Sequence, residues 1–476
     1  MSRRRRPDLQ GIPADRLDLP PSSPSLSPDS LVLGVVSLLS PAFVRSVYKA
    51  SATGLRERAL PLPLVALLLV AFCLSGLPSF AALLAALADG SLAGLGAVLV
   101  SRQAFYQRLD ALGHERFLLL LQSVTRHLHT PLSRPWVRAL APWAAGIYAV
   151  DDTTLDALVR RVPELAAFPK GSSFTLAGRL GTLLDLSTGL IHEILYDSSS
   201  LAREYNHLLP LLGGLAPSSL LVFDLGYFSF PLFDALTERQ LFFVTRLRQK
   251  TSYQVSQVLA DRPLYRDRLI FLGAYRSDRA AHPVRLVELY LEGKWWSYLT
   301  NQTDAHLLPA ESIWRLYSER WTIEMAFFAL KRVLGLATLR GSKVPAVLAQ
   351  IWCTLAVYQI MQSQRLEIAH AQGLKADDIS WERLMRRIQN YAMLTGPKPP
   401  LRAWLVTRPK LAKEGVKYRR PKTLPDEVVK ECRQGRKEMP AVEGVEVRSG
   451  RQGKREATRH SVITVANLHD SSQKEG

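Results

Sequence analysis

Three acidic residues stand where chemistry on a phosphate would need them. Asp151 in Ala149-Val-Asp-Asp-Thr-Thr-Leu155 and Asp224 in Leu221-Val-Phe-Asp-Leu-Gly-Tyr227 each close a short apolar run that reads as a β-strand, and Glu324 lies inside a long helical stretch. Strand ends that neighbour each other in a sheet set two carboxylates side by side. With no His or Cys close by in sequence, this oxygen donor set suits a hard cation. Mg²⁺ is often held by one or two carboxylates together with substrate phosphate. Two such ions about 4 Å apart activate the attacking oxygen and stabilise the leaving one in phosphoryl transfer, and Mn²⁺ can substitute for Mg²⁺. Each acid also has a plainer reading. Asp151 before Thr-Thr could cap a helix, with Thr153 and Asp156 at capping-box spacing, and Asp224 before Leu-Gly could be a turn residue.

The stretch around Glu324 narrows the choice. Tyr317, Arg320, Glu324 and Lys331 fall at offsets of 0, 3, 7 and 14, which at about 100° per residue places all four in one stripe roughly 60° wide and about 21 Å long. Leu316, Ile323, Phe327 and Leu330 occupy a different face. An amphipathic surface helix accounts for this division. A lone acid amid a tyrosine, an arginine and a lysine also fits a metal ligand flanked by phosphate donors. Arg246, Arg248 and Lys250 alternate near the end of another strand, where they would line a polyanion channel or form an ordinary solvated edge.

The elements that must position these residues show themselves as a change of pattern near Trp143. Residues 31–135 read as helical. After them, strands are expected at 147–151, 180–185, 190–196, 220–223 and 241–247, with helical spacing at 201–212 and 231–237. Ser187-Thr-Gly189 makes a good hairpin turn. Strand-like runs at 268–272, 284–291 and 295–300 follow, and then helices at 311–334 and 344–362. Beyond Pro397 the chain is rich in proline and charge, which predicts a mostly flexible basic tail.

Composition sets the class. The chain has 476 residues, 61 Lys plus Arg against 42 Asp plus Glu, and a net charge of +19. That excess attracts polyanions. It is not confined to the ends, since residues 31–400 carry +10 and residues 401–476 carry +8. Cys73, Cys353 and Cys432 are too few and too far apart for a disulfide framework or a Cys-x-x-Cys metal site. Three apolar runs at 64–77, 80–87 and 93–100 fall short of the roughly 18 to 20 residues needed to cross a bilayer. A buried helical core is expected there, with a membrane hairpin as the alternative.

Tyr317-x2-Arg320-x3-Glu324-x6-Lys331 resembles the signature of DDE transposases of bacterial insertion sequences, the group whose type element is insertion sequence four. Asp151-Asp-Thr-Thr-Leu155 is similar to that family's first-aspartate motif, Asp224-Leu-Gly-Tyr227 to its second, and Thr300-Asn301 to a segment before the last. The resemblance spans roughly residues 45–365. It implies an α/β fold with an RNase H-like catalytic core and a β-rich insertion between the second Asp and the Glu, preceded by a small helical domain. The corresponding division is a disordered basic arm at 1–30, a helical and potentially DNA-binding domain at 31–135, core at 136–248, insertion at 249–307, closing helices at 308–396 and tail at 397–476.

Asp151, Asp224 and Glu324 would hold two Mg²⁺ ions, with Asp152 as the alternative to Asp151 because the family usually has a small residue after the first Asp. Tyr317, Arg320 and Lys331 would hold transposon-end phosphates, and Trp295 or Trp296 would stack on an extruded base or else pack in the core. The implied activity is cleavage of double-stranded DNA at inverted-repeat ends and strand transfer into target DNA, by a homo-oligomer on the nucleoid in the bacterial cytoplasm and not at a membrane. A nuclease or resolvase on the same core, or a DNA-binding protein that no longer transposes, are the alternatives.

Overall fold

The computed structural model describes residues 41–49, 60–92, 97–128, 134–156, 176–197, 208, 210–337, 339–340, 343–392, 423–440 and 462–464. The expected arm at 1–30, most of the helical spacing at 201–212 and much of the tail lie outside them. The chain begins with α1 (Pro41–Lys49), α2 (Leu62–Ser75), α3 (Phe80–Ala88), α4 (Arg102–Leu112), α5 (Glu115–His127) and the single turn α6 (Pro135–Arg138). Pro61 and a second proline in the first turn start α2, and Gly76 ends it at φ 68°, a left-handed conformation that costs glycine little. Ser79 then starts α3 by accepting a hydrogen bond from the Ala82 amide. The two helices are bent by 111° at this break.

These helices pack around α10 (Val344–Ala371), whose side chains are buried almost throughout. By length and composition α10 could cross a membrane, but 89% of its most apolar window is enclosed by the rest of the fold.

Among the described residues, ten strands form one sheet. They are β1 (Ile147–Asp156), β2 (Leu176–Asp185), β3 (Ile191–Asp197), β4 (Leu220–Phe223), β5 (Phe242–Arg246), β6 (Tyr253–Arg262), β7 (Tyr265–Leu272), β8 (Val284–Leu291), β9 (Lys294–Thr300) and β10 (Val462–Thr464), in the order β10-β3-β2-β1-β4-β5-β9-β8-β7-β6. Only β1–β4 and β4–β5 pair in parallel, and the fold is mixed α/β with a mostly antiparallel sheet.

Strand alternation sends side chains to two cores. Val150, Leu221, Phe223 and Phe243 pack with α7 (Phe230–Glu238) on one face. Ala149, Leu220, Val222 and Val244 join the core on the other face, shared with α8 (Ala310–Glu319), α9 (Trp321–Phe328) and α10. In the outer strands a fully buried ion pair joins β7 to β8. The Arg285 guanidinium donates to the Asp267 carboxylate at 2.6–3.0 Å and to the Leu308 carbonyl at 2.7 Å, and the Tyr265 hydroxyl adds a third donor to Asp267 at 2.5 Å.

Four sequence expectations change. β1 does not stop at Asp151 but runs to Asp156, held by pairing with β2 after β4 has ended at the Val150–Phe223 pair, so the helix-cap reading of Asp151 fails. β6 was not expected. It is an edge strand exposed along much of its length, and so lacks the apolar alternation that marks a half-buried strand. The helix expected at 311–334 is α8 and α9 meeting at Arg320, followed by a π-helical turn at Ala329–Val333.

The tail supplies α12 (Asp426–Lys437) and β10, while α11 (Trp381–Ala392) comes just before it. α12 is docked. Val428 and Cys432 are buried, Arg262 of β6 donates to Glu431 (2.8 Å) and Glu438 (3.0 Å), and Arg436 pairs with Glu311 of α8 at 3.0 Å.

Candidate active site

Asp151 and Asp224 are next-door positions. Val150 and Phe223 are the last register partners of the parallel β1–β4 pair, and each acid follows its partner by one residue. Both therefore project to the face occupied by α8–α10, at the carboxyl ends of parallel strands, where open α/β sheets place their ligands. Asp224 also fixes the turn after β4, its carboxylate accepting from the Gly226 amide at 2.8 Å at the start of a short 3-10 turn, Leu225–Tyr227.

Arg320, at the junction of α8 and α9, reaches the same place. Its Nη1 lies 3.5 Å from Asp151 Oδ2, and its Nη2 donates to Glu324 Oε1 at 2.5 Å. Tyr317, one turn earlier, stands beside Arg320 and Arg246, and its ring meets Tyr298 of β9 at 5.5 Å. Burial raises its phenol above the usual range.

Asp151 has the most perturbed carboxylate of the group, pushed up to about 7 mainly by burial. The Asp152 amide (2.8 Å from Oδ1) and Arg320 pull it down, while Asp224 and Glu324 push it up. A group that three charges influence in opposite directions is held in a tight electrostatic cluster. Asp152 points to the opposite face, where it accepts a 2.6 Å hydrogen bond from the buried Tyr227 hydroxyl. The two neighbouring aspartates thus have separate surroundings.

The other sequence-selected residues divide. Arg246 lies over Trp296, 4.7 Å from the ring centroid, and Lys294 approaches the same ring at 4.4 Å. Trp295, on the other face of β9, meets Arg266 (4.3 Å) and Tyr290. Arg246, Arg248 and Lys250 do not continue along one strand side. β5 ends at Arg246, Arg248 turns back to the Leu225 carbonyl at 2.8 Å and covers Phe228, and Lys250 takes a left-handed φ of 62° in the turn. Lys331 lies in the π-helical turn. With more residues per turn, it lags behind the position that uninterrupted α-helix would give it.

Asn301 acts as a clip, accepting from the Phe243 amide (2.9 Å) and donating to the Leu241 carbonyl (2.8 Å) and to Thr237 (3.0 Å). Sequence reasoning missed Tyr298, which alternation places on the Trp296 face of β9. It also missed Arg134, which ties α9 at Thr322 to Asp377 from behind and whose amide bonds to the Ser187 carbonyl in the hairpin turn. Nothing in the local sequence marks Arg134.

Residues 145–360 match the family model of the transposase DDE domain. That stretch is similar to a transposase DDE domain. The matched stretch contains Asp151, Asp224, Glu324 and the whole Tyr317-to-Lys331 stripe, while α12 and β10 lie beyond it. Over 195 residues the chain is 27% identical to the transposase InsG for insertion sequence element IS4 of Escherichia coli (strain K12). The matched stretch covers 38% of this chain and 43% of that protein. The matched stretch and this relative liken the chain to transposases of the insertion-sequence-four type.

Asp151, Asp224 and Glu324 all offer carboxylate oxygens, the donor type that hard divalent cations take. Their mutual influence on Asp151 fits them to share such an ion. Among the described residues, no group of three His, Cys, Asp or Glu side chains already stands in a metal-binding arrangement. Between Asp151 and Glu324 the positive charge is that of Arg320.

Proposed function

We propose that the chain is a DNA transposase that cleaves the inverted-repeat ends of its own element and transfers them into target DNA in the bacterial cytoplasm, as a homo-oligomer on the DNA. The observation that carries this reading is the meeting of Asp151, Asp224, Arg320 and Glu324 at the carboxyl ends of two parallel strands within the stretch similar to a DDE domain. The order β3-β2-β1-β4-β5, with β1, β4 and β5 parallel and β2 antiparallel to both its neighbours β1 and β3, supports an RNase H-like core. On this reading β6–β9 are the insertion and α1–α5 the helical N-terminal domain.

Asp151, Asp224 and Glu324 would hold Mg²⁺. Asp151 is preferred over Asp152 because it shares a face with the other two acids. When bound, the metal would lower the pKa of the attacking water or hydroxyl and offset charge on the phosphate. The chain's own residues do the rest. Arg320 offers a planar guanidinium that matches two phosphate oxygens. Tyr317, held by Tyr298, adds a neutral hydroxyl donor, and Lys331 extends the contacts along the helix. Trp296, backed by Arg246, offers a face to a base, and Trp295, Arg248 and Lys250 lie further along the same lobe as contacts for the duplex.

Cleavage of an end-bearing duplex by Asp151→Asn, Asp224→Asn and Glu324→Gln, measured beside end binding by gel shift, tests the reading. Each variant should lose cleavage by about 10³-fold or more while binding the duplex like wild type. Normal cleavage by any of them removes that residue from the site, and cleavage without any joined product would favour a nuclease or resolvase.

A further inference from the structure

We propose that Arg320 is a displaceable counter-cation, which holds Asp151 and Glu324 in the DNA-free protein and gives them up to the metal only when a DNA phosphate takes its guanidinium. The inference rests on the assignment of these acids as metal ligands. Its observation is that Arg320 bridges acids on two separate elements, β1 and α9, through two different nitrogens. Its side chain is only 16% exposed, and that of Asp151 18%. Anions so placed need a partner, because removing a carboxylate from water without compensating charge is costly. Arginine cannot relieve the pairing by losing its proton.

Arg320 also lies where the helix changes its hydrogen-bonding pattern. It stands at the junction of two helices, where the Arg320 amide bonds to Tyr317 and the Ile323 amide to Arg320, an i to i+3 pattern. A phosphate provides two oxygens in the geometry of the guanidinium fork and competes for the nitrogens now given to Asp151 and Glu324. Arginine and a divalent cation cannot both sit between the same two acids without strong repulsion. Metal and DNA then become coupled ligands, each improving the affinity of the other by the same factor. A DNA-free protein binds metal poorly, and strand scission is confined to protein already on DNA.

Mn²⁺ binding to the full chain without DNA, followed by the loss of the free-ion signal in electron paramagnetic resonance, tests this without reference to activity. Arg320→Ala and Arg320→Gln should bind Mn²⁺ about tenfold more tightly than wild type, within the range of ordinary site-to-site coupling. Arg320→Lys, which keeps the charge, should stay weak. Adding Asp224→Asn to Arg320→Ala should cancel the gain. Two neutralising variants guard against one that fails to fold, which a thermal melt detects.

If both neutralising variants bind Mn²⁺ like wild type while Asp224→Asn still weakens it, the site stands and the counter-cation role is wrong. If Asp224→Asn has no effect in any background, the metal site itself is misassigned and the inference falls with it.

Discussion

Asp151 spends folding stability on being where it is. Its carboxyl is raised from 3.8 to about 7, chiefly by burial. A carboxyl with a folded pKa above its unfolded one binds protons more readily in the native state, so its contribution is fully present below pH about 4 and is lost as pH rises through about 7. Asp151→Asn, neutral at every pH, should therefore melt higher than wild type above neutrality in metal-free buffer, by about 2–4 kcal/mol, and converge with it near pH 3. A melting difference that does not change with pH would exclude this origin. Sequence spacing could single out Asp151, Asp224 and Glu324 as candidates, because the end of an apolar run and a helix stripe are local patterns. It could not separate Asp151 from Asp152, since strand alternation gives opposite faces without saying what covers each. What covers them is Tyr227 on the Asp152 side and Arg320 on the Asp151 side. The arithmetic that puts Lys331 on the stripe assumes α-helical winding, whereas Lys331 sits in a π turn.

Elements were legible in proportion to how far burial shaped them. β4 at Leu220–Phe223 and β8 at Val284–Leu291 are buried over most or all of their length and appear where the sequence predicts. β6 shows little alternation because it is the sheet's outer edge, and α12 reads as tail because its polar sequence becomes a helix of this fold only through docking. Arg285 in β8 gave no hint of its role, since a buried arginine requires a buried acid on a different strand. Removing one member of that pair strands the other. Arg285→Met should destabilise by about 3–5 kcal/mol, whereas Arg285→Met with Asp267→Leu should recover most of the loss, as read from urea denaturation midpoints. Equal costs for the single and double variants would show that packing, not unpaired charge, decides.

At the scale of the whole molecule, α12 ties the β6–β7 edge to the helix that leads to Arg320. Gly435 makes that docking close, because a Cβ there would come within 2.9–3.1 Å of Tyr265 and Arg262. Gly435→Leu should therefore lift α12, raising maleimide labelling of the buried Cys432 and speeding amide exchange in β6 and α8. Labelling as slow as in wild type would mean that the helix docks by its ion pairs alone. The junction between β5 and β9 has a mechanical consequence. The ten-stranded sheet is continuous, yet β5 and β9 pair over a short register of three residues, from Val244–Thr300 to Arg246–Tyr298, extended by the Leu247–Ser297 hydrogen bond and the Asn301 clip. A load borne between the β6–β9 lobe and the strands carrying Asp151 and Asp224, such as the recoil of a bent duplex, passes through those pairs in series. α12 offers the force a second route in parallel, from β6 to α8. The short strand β5 is thus the link that yields first, and the helix beyond the matched stretch limits how far it opens.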